Sequence, residues 1–154
     1  IDLDGDGCGD ILFRRISDGV VWAWLLNPGT PPTVKGIPRL GSASLSNWIC
    51  ATGVGDINGD GQCDILWQRV SPKSAYIWVM APGGGSVASQ GTIAPETGGW
   101  ELRGAGDYDG DGQEDILWRD QAAGQNKLWK MVGGLKVGDI PLAAKAGGQM
   151  VGPK

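Results

Sequence analysis

Histidine is absent from this sequence, which removes the commonest general acid–base side chain and the imidazole that zinc sites favour. No Asn is followed two residues on by Ser or Thr, so N-linked sugar has no acceptor, and only residues 30–33, Thr-Pro-Pro-Thr, read as an O-linked acceptor. No stretch approaches 18 consecutive apolar residues, so no membrane-crossing helix is encoded. No sustained run of Lys and Arg argues for nucleic acid as a partner. Cysteine is scarce: Cys8, Cys50 and Cys63 cannot define a disulfide scaffold, leave at least one thiol unpaired within the chain, and offer Cys50 with Cys63 as a candidate pair. Glycine or proline interrupts every stretch long enough for a capped helix. The chain begins at Ile1 without a signal-peptide pattern, which reads as a processed mature form or as a segment of a longer precursor.

What is present is glycine, 28 residues of it, with 9 prolines, yet 41% of the chain is hydrophobic. That combination is too apolar for a linker and describes a turn-rich folded protein, whose 154 residues hold one domain or a stack of small repeats. The net charge of −4 is unevenly placed. Of 17 acidic side chains, 12 fall in three short loops, 11 of them aspartates, and the rest of the chain sets 13 Lys and Arg against 5 acids. Three divalent cations would turn −4 into +2.

Laid over itself, the chain repeats. Residues 2–14, 56–68 and 107–119 each run Asp-x-[Asp/Asn]-x-Asp-Gly-x-x-Asp-Ile-Leu-[Phe/Trp] and end on Arg or Gln. Fourteen residues after the last loop aspartate stands Trp24, Trp78 or Trp129, and two further on Leu26, Met80 or Met131. Trp48 and Trp100 stand seven or eight residues before the next loop, and Gln149 takes that place near the C-terminus. The units are residues 1–55, 56–106 and 107–154. Each reads as four short strands, in the second unit residues 65–70, 75–80, 87–93 and 100–104. The fold class is therefore all-β: three four-stranded antiparallel blades of the propeller type. Set directly before Ile1, residues 149–154 restore the spacing of Trp100 to Asp107. The termini are thus permuted by one strand, and a C-terminal strand completes a blade begun by an N-terminus, its own or that of a neighbouring copy. Three blades are few for a closed ring, which favours the neighbour, or a segment cut from a longer array.

The loops concentrate hard oxygen ligands. Calcium takes six to eight oxygens from carboxylates, carbonyls and water, and alternate positions of a tightly curved loop converge on one point. The candidate ligands are Asp2, Asp4, Asp6, Cys8 (by its carbonyl) and Asp10; Asp56, Asn58, Asp60, Gln62 (carbonyl) and Asp64; and Asp107, Asp109, Asp111, Gln113 (carbonyl) and Asp115. About three Ca2+ follow, one per repeat. Without metal, two carboxylates about 4 Å apart repel by roughly 4 kcal/mol at an effective dielectric near 20. Magnesium wants a smaller octahedral shell. Asn58 keeps a ligand oxygen but removes a charge, so the middle site is expected to be the weakest.

These loops, each followed by Asp-Ile-Leu-[Phe/Trp], resemble FG-GAP/VCBS repeats, which occur in integrin α-subunit propellers, bacterial surface proteins and fungal lectins. The resemblance covers nearly the whole chain and implies calcium-stabilised propeller blades with the metal on the matching aspartates. It implies adhesion, carbohydrate binding or accessory roles beside enzymes, and an extracellular or cell-surface location. Propellers of this type usually carry about seven blades, and this chain has three.

The repeat places Phe13, Trp67 and Trp118 at one position and Trp24, Trp78 and Trp129 at another, which is what a recurring core requires. Trp22 lies outside the pattern, and Trp48 and Trp100 head their strands, so these three are the candidate glycan platforms. No serine has a nucleophile setting, and every close pair of carboxylates belongs to a metal loop. The chain reads as a non-enzymatic extracellular structural or adhesive module, assembling head to tail into a fibre or larger ring. The alternatives are a lectin-like propeller and an accessory domain of a larger secreted protein. The expected partners are copies of itself and glycans.

Overall fold

The computed structural model describes residues 1–143, the side chains of residues 50–54 apart. Twelve strands follow in chain order: β1 (Ile11–Arg14), β2 (Val20–Asn27), β3 (Thr33–Gly36), β4 (Arg39–Ser42), β5 (Trp48–Gly55), β6 (Asp64–Arg69), β7 (Ser74–Met80), β8 (Val87–Pro95), β9 (Trp100–Gly106), β10 (Asp115–Asp120), β11 (Gln125–Val132) and β12 (Leu135–Leu142). The described residues include no helix. The strands form three antiparallel sheets of four: β1 to β4, β5-β6-β7-β8 and β9-β10-β11-β12. The four strands read in the second repeat correspond to β6, β7, β8 and β9 to within two residues. Each later acidic loop joins two strands of one sheet, β5 to β6 and β9 to β10, so the strand that closes one sequence unit opens the next sheet.

The first sheet is built differently. On the side of β2 away from β1, Leu25 to Asn27 pair with β3 and Val20 to Trp22 pair with β4. β3 and β4 are thus one edge interrupted at Ile37 and Pro38, where proline has no N–H to continue the ladder. On the other side of β1, among the described residues, the place filled by β5 and β9 holds only Ile1. Its carbonyl accepts a bond from the Asp10 amide, as Gly55 and Gly106 stand in register with Asp64 and Asp115. Residues 149–154, expected to complete this sheet, lie outside the described residues.

Alternation along the strands gives each sheet two apolar faces. Val21, Ala23 and Leu25 of the first sheet meet Ile65, Trp67, Trp78 and Met80 of the second. Leu66, Ala75 and Ile77, on the second sheet's other face, meet Ile116, Trp118, Trp129 and Met131 of the third. The middle sheet is covered on both sides, which is why its Ile-Leu-Trp run is apolar without alternation. β5 lies against β9, while β8 and β12 meet only at a few points, so these sheets converge at their first strands and splay apart toward their last. The three sheets do not close into a ring.

The core expectation needs one correction. Trp67, Trp78, Trp118 and Trp129 are buried, but Trp24 is 39% exposed, and Phe13 is exposed with it. Among the described residues no sheet lies on that face of the first blade. A polar clasp also recurs between sheets. The Arg14 guanidinium donates to the carbonyls of Ala43 (3.3 Å) and Trp48 (3.0 Å). Gln68, at the same repeat position, donates to the Trp100 carbonyl (3.4 Å) and accepts from the Leu102 amide (2.9 Å).

Ile65 is fully buried and Ile11, its repeat counterpart, is 48% exposed. In dilute protein Ile65→Ala should cost about 2–5 kcal/mol in urea unfolding and Ile11→Ala less than about 1. Equal costs would contradict this packing.

Candidate metal centres

The three loops are wound by their own carboxylates. In the first position Asp2 accepts from the amides of Gly5 (2.8 Å) and Gly7 (2.9 Å), Asp56 from Gly59 and Gly61 (both 2.7 Å), and Asp107 from Gly110 (2.7 Å) and Gly112 (3.0 Å). The third position reaches the fifth amide through Asp4 (3.2 Å), Asn58 (3.0 Å) and Asp109 (3.2 Å). The fifth reaches the seventh amide through Asp6 (2.8 Å), Asp60 (2.8 Å) and Asp111 (2.9 Å). Such a path turns at positive φ in the fourth and sixth positions, as at Gly59 (79°) and Gly61 (82°), which only glycine adopts without strain. The fourth position is glycine in all three loops as well: Gly5, Gly59 and Gly110.

The ninth position locks the loop to a strand. Asp10 accepts from the Leu26 amide (2.9 Å) and the Leu3 amide (2.7 Å), Asp64 from Met80 (3.0 Å) and Asp115 from Met131 (3.0 Å). The second oxygens of Asp64 and Asp115 are buried without a hydrogen bond of normal geometry. Burial pushes the Asp64 carboxyl up to about 6, with Asp60 and Asp56 adding to it, and raises Asp115 for the same first reason. A buried carboxylate oxygen so poorly bonded is what a cation would satisfy.

Carboxylate oxygens of Asp2, Asp4 and Asp10 lie within 4.8 Å of one another, and so do those of Asp107, Asp109 and Asp111. Asp6 and Asp115 fall outside these trios. Among the described residues no such trio forms in the middle loop, where Asn58 donates instead to Asp60 (2.9 Å). At the seventh position Gln62 and Gln113 accept with their side chains from the amides of Gly83 (3.4 Å) and Gly133 (2.7 Å), while Cys8 is a free thiol.

Three residues near the loops escaped the sequence pattern. The Lys35 ammonium lies 2.6 Å from Asp4 and 3.6 Å from Asp6. Lys130 pairs with Asp109 and with Asp111 (2.9 Å), which raises the lysine and holds Asp111 below the usual carboxylate range. Both come from strands opposite the loop and carry no local signal. Each lysine offsets one charge of a four-aspartate loop, which narrows the deficit that Asn58 gives the middle one. Glu114, at the unconstrained eighth position, has a buried oxygen without a hydrogen bond. Its side chain fills the space a Cβ on Gly55 would take, and burial, then Asp56 and Asp107, push it up.

Cys63 is a free thiol that burial and Glu114 push up to about 11, far from thiolate at neutral pH. The Cys50–Cys63 pairing is not formed: β5 pairs with β6 so that Cys50 stands opposite Trp67, four residues along from Cys63. The three candidate glycan-platform tryptophans have different neighbours. Trp22 stacks on Phe13 at 5.4 Å under the Arg15 guanidinium, and Trp48 packs on Tyr76 at 4.7 Å. Trp100, with the Lys127 ammonium 4.5 Å above its ring, borders a groove of about 380 Å3 shared with Gln125, Asn126 and Asp139.

No curated protein matches the chain. Residues 2–67 and 56–118 each match the family model of the FG-GAP-like repeat. Each match runs from one acidic loop through the next to its Ile-Leu-Trp strand, so it spans the loop, the sheet and the step to the following blade. The chain belongs to the FG-GAP-like repeat family.

Proposed function

We propose that this chain is a calcium-stabilised structural or adhesive module of the extracellular space, with one Ca2+ in each of the loops 2–10, 56–64 and 107–115, and that it performs no catalysis. The observation that carries the reading is the ninth-position aspartate. One of its oxygens is committed to a strand amide, and in Asp64 and Asp115 the other is buried without a hydrogen bond of normal geometry. A divalent ion there would satisfy that oxygen and cancel the repulsion within the loop, pinning the loop to its blade. Membership of the FG-GAP-like repeat family supports an extracellular or adhesive repeat module. In the described residues no helix is long and apolar enough to cross a membrane. Self-association by completion of the first sheet belongs to the same reading.

A second reading, glycan binding, has one feature in its favour. The Trp100 groove combines an indole with the amides of Gln125 and Asn126 and the carboxylate of Asp139, the groups that hold sugar rings and hydroxyls. Trp100→Ala abolishing retention on a glycan array, with the melting curve unchanged, would establish it; retention by the variant would remove it.

Calorimetric titration of chelator-treated protein should show about three Ca2+ per chain. At a free ion level 100 times the dissociation constant each site adds about 2.7 kcal/mol, so EGTA should lower Tm by more than about 10 °C. No binding heat and no shift in Tm would overturn the reading. Lys130→Met should tighten the third site severalfold, since it removes a competing cation; a weaker third site in the same titration would count against that role.

The pH response should differ between the two forms. Asp64 has a folded value near 6, above the usual ~3.9 of a free side chain. As pH falls from about 6 to 4 the native calcium-free protein takes up this proton before the unfolded chain does, and gains stability. Protons compete with calcium in the same window, so the loaded protein loses stability. Scanning calorimetry between pH 7 and 5 should show the two Tm values converging, and Asp64→Asn should reduce the rise in EGTA, to which Asp115 and Glu114, also raised, contribute.

A further inference from the structure

Each of the two later acidic loops holds a hairpin that lies on the loop before it. The loop 56–64 grips the hairpin of β7 and β8 at two points. Asp64 accepts from the Met80 amide (3.0 Å), on the strand entering the turn, and the Gln62 side chain accepts from the Gly83 amide (3.4 Å), within the turn. The loop 107–115 grips the hairpin of β11 and β12 in the same way, Asp115 accepting from Met131 (3.0 Å) and the Gln113 side chain from Gly133 (2.7 Å). In the first of these turns the Ala81 amide donates to the Ser86 carbonyl (2.9 Å) and the Gly84 amide to the Ala81 carbonyl (3.0 Å), so what holds Gly83 also holds Gly84.

The tip of each hairpin rests on the preceding loop. Gly84, at a φ of 65°, is so close to the peptide joining Leu3 and Asp4 that a Cβ on it would lie 2.6 Å from the Leu3 carbonyl and 2.9 Å from the Asp4 nitrogen. Gly134, at a φ of 79°, lies beside Asn58, and a Cβ on it would be 3.3 Å from the Asn58 Cβ. Gln113 adds a contact of its own, since a Cβ on Gly59 would lie 3.5 Å from its Oε1 and 3.9 Å from its Cγ. These contacts fall on the ligand-bearing part of each loop. Asp4 and Asn58 hold the third position, and the Gly59 amide winds the middle loop onto Asp56 (2.7 Å). Leu3 and Ile57, the residues next to them, are fully buried in the cores that contain Met80 and Met131.

Gln113 thus has its main chain in one metal loop and its side chain against both the hairpin and the loop before. Carboxylates crowded without an ion repel one another, and an ion draws them together with the Gln113 carbonyl. The same ion thereby favours the arrangement in which Gln113 and Asp115 hold the hairpin. A held hairpin in turn favours the arrangement of the preceding loop in which Asn58 is braced. Two sites that bias one shared element in the same direction are coupled.

We propose that the calcium sites of successive blades fill cooperatively, with Gln62 and Gln113 as positioning residues that carry the coupling through the hairpin tips at Gly84 and Gly134. The inference rests on the calcium reading of the loops and deepens it. It also gives the middle loop a source of affinity that offsets the charge missing at Asn58.

The test reads each loop separately by NMR during a calcium titration. The amides of Gly59 and Gly61 report the middle site and those of Gly110 and Gly112 the third, since all four donate to first-position aspartates. Asp107→Asn with Asp111→Asn should empty the third site while keeping the side-chain acceptors that wind the loop, and should weaken the middle site about fivefold or more. Asp56→Asn with Asp60→Asn should empty the middle site and weaken the third by the same factor, because a coupling free energy is reciprocal. Damage to the fold has no reason to be symmetric. In a Gln113→Ala chain, which keeps the backbone carbonyl, both factors should fall to about one. In a Gln113→Glu chain, which keeps an acceptor for the Gly133 amide, they should persist. A middle site unchanged by emptying the third, two unequal factors, or factors undiminished by Gln113→Ala each overturns the proposal. The first two of these need no variant of Gln113, so they hold whether or not that variant folds. If every loop responds to calcium independently, the coupling alone fails and the calcium reading stands. If no glycine amide of the unaltered chain responds, the calcium reading fails and takes the coupling with it.

Discussion

Crowded carboxylates are the constraint around which this chain is organised. Each loop folds its aspartates inward onto its own amides, and the hydrogen bonds that shape the turn are the same ones that hold like charges together. Backbone donors offset part of the repulsion, and Lys35 and Lys130 offset more in the outer loops. What is left falls on the buried ninth aspartate. Its position at the mouth of β6 and β10 makes the loop's electrostatics and the sheet's geometry one problem.

The blades are correspondingly interdependent. The middle sheet contributes to two cores at once, and its polar edge residue Gln68 reaches across to β9 as Arg14 reaches across to β5. A sheet of this kind has no stable existence apart from its neighbours, which is the general condition of stacked repeats. The family relation fits that arrangement, because the matching segments span from one loop to the strand after the next.

Much of this was written in the periodicity. The recurrence of Asp-Ile-Leu after each loop located β6 and β10, and the spacing of Trp78 and Trp129 located the strands beside them. What one sequence could not disclose was context. Trp24 has the same local setting as Trp78, yet its exposure depends on whether another sheet lies over it, and that is a property of its place in the stack. Lys35, Lys130 and Glu114 come to the loops across strand pairings, so no spacing along the chain announces them. The cysteine pairing failed for a related reason, because nearness in sequence was outweighed by antiparallel register.

The rim of the stack carries a consequence of its own. The last-strand edge is broken at Pro38 in the first sheet, ends on Pro95 in the second and includes Pro141 in the third. An imino acid offers no donor to a passing chain, so sideways accretion is discouraged at every blade's outer margin. Blades margined in this way resist the edge-to-edge pairing that turns folded sheets into amorphous deposits.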